Sequence, residues 1–206
     1  MLKYDNPVIQ FFRKTLDVLL ASLLWIVTVI PVLTLGPACS ALYRTIVDVV
    51  QNEYGKIVPT FWANFRQNLG KGILVTIIHF AIFLFLFGYC YLCMILPQRT
   101  ILDSICKIAA FLLTAVFLAV SGYLYPLFSH FDFGCFQYFA ASAYLSVRHI
   151  KNTLVLVLAP FVLSLLLFLN PLFWLLYPGL MAYVSASLLE SVFREYIEEN
   201  SEDKQA

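Results

Sequence analysis

Arg44 and Asp48 are the first residues in this chain to suggest chemistry. They stand four apart in a short apolar stretch, 37–51, so on a helix they share a face and can neutralise each other. Ionisable side chains at membrane depth face a bundle interior or water, and many mark ion or substrate routes. Arg44 and Asp48 are therefore read as a candidate buried polar pair. They follow a break in the apolar pattern formed by Pro31, Thr34, Gly36 and Pro37. Proline removes a backbone donor and glycine relaxes the chain. In lipid such a break survives only where protein or trapped water satisfies the freed groups. Broken helices with charge nearby are one way transporters hold substrate near the midplane.

The other reactive residue types point to less. His79 sits inside an apolar run and reads as a packing histidine. His130 and Asp132 fall at a helix end between phenylalanines, where capping or interface contact is the usual role. Ser121, Ser129 and Ser142 have no base at motif spacing. There is no phosphate-binding glycine loop, no H-E-x-x-H and no paired carboxylates on one membrane helix face. Five cysteines occur, and Cys90-Tyr-Leu-Cys93 is formally C-x-x-C. It lies in an apolar helix without a second pair, whereas zinc takes four ligands and redox motifs need an accessible thiolate. No enzyme activity, metal or cofactor is expected.

The elements carrying these residues are read from composition. Of 206 residues, 62% are hydrophobic and 12% charged, against roughly 25% charged in soluble domains. Mean hydropathy is +0.86. The expectation is an all-α integral membrane protein, a six-span helical bundle forming a single transmembrane domain over 1–206. A net charge of +1 gives no hint of nucleic acid. Spans are expected near 15–35, 37–51, 72–96, 106–128, 153–169 and 171–189, each set against the ~20 residues needed to cross, with a tail over 190–206. The run 15–35 is too long for a signal-peptide core and reads as a retained helix. The segment 37–51 is short enough to be tilted or re-entrant. Turns are expected at Pro97-Gln98-Arg99 and Asn170-Pro171, since the residue before a proline avoids helix.

The segment 37–51 decides the topology, and lysine and arginine arbitrate. If it crosses, 11 of the 13 basic residues share one side, leaving only Arg99 and Lys107 on the other. If it does not, the division is five to eight. Six crossings with both termini cytoplasmic follow.

Val58, Phe61, Trp62, Phe65 and Leu69 recur at amphipathic spacing, with Asn64, Gln67 and Asn68 opposite, as in a helix lying on a membrane surface. Phe136, Phe139, Ala143, Tyr144 and Val147 repeat that spacing, and Val8, Ile9 and Phe12 form a shorter version. Each is followed by an outward and a return span. This suggests short cytoplasmic interfacial helices and three repeated up-down hairpins near 4–52, 57–129 and 134–194. The first such surface offers Phe61, Trp62, Phe65, Arg66 and Asn68 as candidate partner-binding residues.

Several residues together resemble the YesL family of bacterial membrane proteins. They are Asn6-Pro7, Leu23-Leu24-Trp25, the run Pro31…Thr34-Leu35-Gly36-Pro37…Ala41-Leu42-Tyr43, Phe61…Phe65-Arg66-Gln67-Asn68, and Tyr183…Leu188…Val192-Phe193…Tyr196. That family is a domain of unknown function whose members are often encoded beside sugar ABC transporters and polysaccharide-degrading enzymes in Gram-positive bacteria. The resemblance implies a plasma-membrane role in carbohydrate uptake and supplies no catalytic or ligand-binding residues. The expected function is an accessory subunit that binds the permease of an oligosaccharide ABC transporter. The alternative is an autonomous small transporter or channel with its site at the broken first helix pair. The sequence is compatible with a homo-oligomer.

Overall fold

Proline and glycine punctuate the helices. The computed structural model describes residues 7–95, 101–169 and 173–202, and among them every regular element is helical. The expected turns at Pro97-Gln98-Arg99 and Asn170-Pro171 lie outside the described residues. Helix α1 (Pro7–Val29) begins on a proline, whose missing N–H is one of the unpaired donors of a first turn. It stops just ahead of Ile30-Pro31. A 3₁₀ turn (Val32–Thr34) leads into α2 (Leu35–Thr45), which runs on as a π turn (Ile46–Gln51). The chain then reverses through Glu53 and Gly55, both at positive φ.

Helix α3 (Ile57–Ile95) is a single rod of 39 residues, roughly 58 Å long at 1.5 Å per residue. Helix α4 (Ile101–His130) returns beside it. Helix α5 (Cys135–Arg148) is short, and α6 (Ile150–Leu169) leaves it at 104°. Thr153 seals that bend: its hydroxyl donates to the carbonyls of Ser146 and His149 at 2.7 and 3.1 Å and meets the Tyr123 hydroxyl at 3.0 Å. Helix α7 (Phe173–Glu202) closes the bundle.

Two expected surface helices are not separate elements. The stretch 57–71 is the first part of α3, and the N-terminal stretch, from Pro7 on, belongs to α1. A change in apolar periodicity is not a backbone break, and Gly70 and Gly72 do not stop a helix that tertiary packing supports. Only α5 stands apart as a short helix.

The core gathers around α2. Ala38, Ala41, Leu42, Tyr43, Ile46 and Val50 are buried on several sides of it, against α1, α3, α4 and α7. Among the described residues three helices are long and apolar enough to cross a membrane: α3, residues 103–130 of α4, and residues 173–197 of α7. The bent α5–α6 pair makes four if it is one span. Helix α1 carries too much charge for that test, since Arg13, Lys14 and Asp17 fall within its last 18 residues. Large apolar side chains cover the outside, among them Phe85, Met94, Ile101 and Phe111. The apolar helices fit a surface bathed by a bilayer.

Candidate functional site

The break between α1 and α2 is closed by its own residues. The Thr34 hydroxyl turns back to accept no role at the start of α2; it donates to the carbonyls of Thr28, at the end of α1, and Pro31. The Gly36 N–H, an orphan donor of the first turn of α2, donates to Thr76 Oγ1 at 3.0 Å, and that hydroxyl donates to the Gly72 carbonyl at 2.7 Å. A Cβ on Gly36 would lie 2.3 Å from Thr76 Oγ1, and one on Gly72 would lie 2.6 Å from Pro37 Cγ. Glycine is required at both positions by close approach. The same joint recurs between α1 and α7: Gly179 N–H donates to Ser22 Oγ at 3.0 Å, and Ser22 back-bonds to Val18 O. The motif Pro31, Thr34, Gly36, Pro37 is thus a corner whose polar groups are met within the chain.

Below that corner, α2 delivers a polar chain. Arg44 Nε pairs with Asp48 Oδ2 at 3.1 Å, and Arg44 Nη1 reaches His130 Nδ1 at 3.3 Å. His130 Nε2 lies 2.8 Å from Glu190 Oε1, which also accepts from the Tyr43 hydroxyl at 3.3 Å. Guanidinium only donates, so His130 Nδ1 accepts and Nε2–H donates to the carboxylate. The His130 side chain is 12% exposed and that of Glu190 23%. Glu190 lies just past the 171–189 span expected from the sequence. The edge of Tyr43 also meets the His130 ring at 5.9 Å.

Two cavities flank this chain. One, of about 250 Å³, lies between α1, α2, α4 and α7, with Trp25, Cys39, Tyr43, Tyr125 and Tyr177 in its walls. Trp25 Nε1 donates to Cys39 Sγ there at 3.3 Å. The other, of about 400 Å³, is a polar cleft where α3 begins and α4 finishes, walled by Asn64, Gln67, Asn68, Ser129, His130 and Tyr138. Lys71 and Asp132, an ion pair, join its sides. One stretch, 121–132, at the end of α4 and just beyond it, serves both spaces, and Tyr43 and His130 stand between them.

The amphipathic stripe on α3 is divided. Phe61 is 0% and Phe65 8% exposed, both in the core around α2, so these two rings do not face a partner. Trp62 and Arg66 are exposed, the guanidinium 5.9 Å from the indole ring. Asn68 Nδ2 donates to Ser40 Oγ at 3.1 Å and ties α3 to α2.

Ser121 is not set up as a nucleophile by His79. Ser121 Oγ donates to Phe117 O at 2.6 Å, so at 3.3 Å His79 Nε2–H donates to Ser121 rather than taking its proton. Among the described residues no three or more His, Cys, Asp or Glu side chains come together as a metal site. Sequence reasoning missed Glu190 and the joining of His130 to Arg44. Neither has a local signature, because the partners are 60 to 147 residues apart.

No curated protein and no solved structure matches the chain. Residues 18–88 match the model of a family described as protein of unknown function, DUF624, and YesL is a DUF624 family. The matched stretch holds most of α1, the corner, all of α2 and most of α3. Over residues 18–88 the chain is thus similar to the DUF624 family, the one that its corner motif resembles.

Proposed function

We propose that this protein is an integral membrane accessory subunit that binds the permease of a carbohydrate ABC uptake system in a bacterial plasma membrane. In this reading all six expected segments enter the bilayer, both termini are cytoplasmic, and the polar cleft faces the cytoplasm. The observation that carries it is the hairpin formed by α3 and α4. The most apolar 18-residue windows of these helices are only 11% and 6% buried within the chain. Beyond Thr76 α3 continues for 19 residues, roughly 28 Å, about the thickness of a hydrocarbon core. Its recorded hydrogen bonds there run to α4, through His79–Ser121, Tyr89–Cys106 and Cys90–Thr114. Phe80, Phe83 and Phe87 form a ladder with rings 6.1 and 6.2 Å apart. An arm of this kind suits side-by-side packing with another membrane protein, and the YesL resemblance supplies the carbohydrate context.

The test is affinity purification of the tagged chain in mild detergent from its native host. Recovery of a sugar permease is the expected result; repeated recovery of the chain alone overturns the reading. The 250 Å³ cavity favours a second reading, transport by the chain itself. Purified protein in liposomes would then move an oligosaccharide or ion, with Arg44→Ala impairing flux more than folding. No flux over a broad panel removes it.

A further inference from the structure

We infer that the polar cleft between α3 and α4 is a binding site for a small, uncharged, polyhydroxylated molecule. Its volume, about 400 Å³, falls within the range of small-molecule sites. Three carboxamides, Asn64, Gln67 and Asn68, come from one face of α3 at i, i+3 and i+4. Their hydrogen-bonding capacity is only partly spent. Asn64 Nδ2 donates to the Thr60 carbonyl at 2.9 Å, and Asn68 Nδ2 to Ser40. Among the described residues the side-chain oxygens of both, and the whole Gln67 carboxamide, have no recorded partner. Ser129 gives its proton to Pro126 O at 2.7 Å and keeps lone pairs to accept. The cleft thus offers several acceptors together with the remaining amide N–H groups of its carboxamides, and hydroxyl groups complement that set because each can both give and receive.

The charges argue the same way. Lys71 is paired with Asp132. Both nitrogens of His130 are engaged, one by Arg44 and one by Glu190. The charged side chains on the cleft wall, Lys71 and Asp132, offset each other, so the lining carries no net charge to select an ion of either sign. Tyr138 spends its hydroxyl on Phe131 O and Phe133 N–H and packs its buried ring at 4.7 Å on Phe128, so it backs the cleft and adds no free polar group to it.

Gly70 makes the idea testable without unfolding the protein. It lines the cleft, and a Cβ there would meet nothing within 4 Å. Gly70→Leu fills space while improving helix propensity. The inference does not rest on the permease partnership, because the sample is the purified full chain in detergent. Titration calorimetry would use glycerol, D-glucose and maltose, with inorganic phosphate and choline as charged controls. Saturable binding of at least one of the three polyols is expected, weakened about tenfold or more by Gly70→Leu and by Gln67→Leu, with melting temperatures no lower than that of the native chain for Gly70→Leu. Binding of phosphate or choline in place of the polyols, no saturable polyol binding, or polyol binding indifferent to both substitutions overturns it. Failure here leaves permease co-purification untouched, and the reverse also holds.

Discussion

Replacing Gly36 with alanine tests whether α2 is clamped against α3 at backbone distance. The new Cβ would sit 2.3 Å from Thr76 Oγ1 and 2.8 Å from Gly72 O. The threonine side chain can rotate away, but the Gly72 carbonyl is helix backbone and cannot. Helix α2 must therefore lift from α3. That movement breaks the 3.0 Å bond from Gly36 N–H to Thr76 and pulls Pro37 off Gly72. Overpacking of this kind costs about 1–3 kcal/mol, and a lost buried hydrogen bond adds about 1 kcal/mol. The sum is about 3 kcal/mol, which for a chain of this size lowers the melting temperature by roughly 6–12 °C. The assay is thermal unfolding in detergent followed with a thiol-reactive dye, since all five cysteines are free. Gly70→Ala is the control: its Cβ meets open space, so it should melt at or above the native temperature. Adding Thr76→Ala to Gly36→Ala should not restore stability, because the carbonyl clash persists. Native-like melting of Gly36→Ala would refute the close crossing.

Thr34→Val, read by the same melting assay, should cost about 1 kcal/mol, because it removes the hydroxyl that closes the end of α1; Thr34→Ser should be nearly neutral. Glu190→Gln should lower the melting temperature near neutral pH. The Glu190 carboxylate accepts from His130 Nε2 at 2.8 Å and from the Tyr43 hydroxyl at 3.3 Å, and the amide cannot accept as strongly from both; an unchanged melting temperature would contradict the assignment. A reporter fused at Tyr54 should read as cytoplasmic, in the same compartment as a reporter at the C-terminus; opposite compartments would overturn the proposed topology.

The corner was legible because proline and glycine act on the backbone itself. Pro31 ends α1 and Gly36 permits the approach to Gly72 whatever surrounds them. The role of Thr34 was not legible: it stands where a helix N-cap belongs, yet its hydroxyl serves the preceding helix. The stretch 57–71 looked like its own element because polar residues give way to apolar ones at Gly72. The change marks a change of surroundings along one rod. Phe61 and Phe65 looked like partner-binding residues because their stripe is apolar, but a stripe shows only that something apolar covers it, and here that is the core around α2. Glu190 read as the start of a solvated tail because it follows an apolar run. Its partners Tyr43 and His130 come from elements far off in sequence, and such pairings leave no local trace.

Ion pairs recur where successive hairpins meet their connections, and this bears on orientation. Lys14 meets Glu53 at 3.4 Å, Lys71 meets Asp132, and Arg148 meets Glu195 at 3.1 Å. The first joins the early part of α1 to the turn after α2, so this pair of helices leaves and returns to one end whether or not its corner reaches the far side of a membrane. The second does the same for α3 and α4. The third does so for the path that leaves by α6 and returns by α7. Arg44, His130 and Glu190 then tie α2, α4 and α7 together near that end. Exposed pairs of this kind contribute little to stability, so they do not hold the bundle together; apolar burial around α2 does. Their value is as markers. Charge gathers at that end, whereas the outer part of α3, residues 77–95, holds no Asp, Glu, Lys or Arg and the outer part of α4 holds only Asp103 and Lys107, and this asymmetry gives lysine and arginine their power to orient a membrane chain.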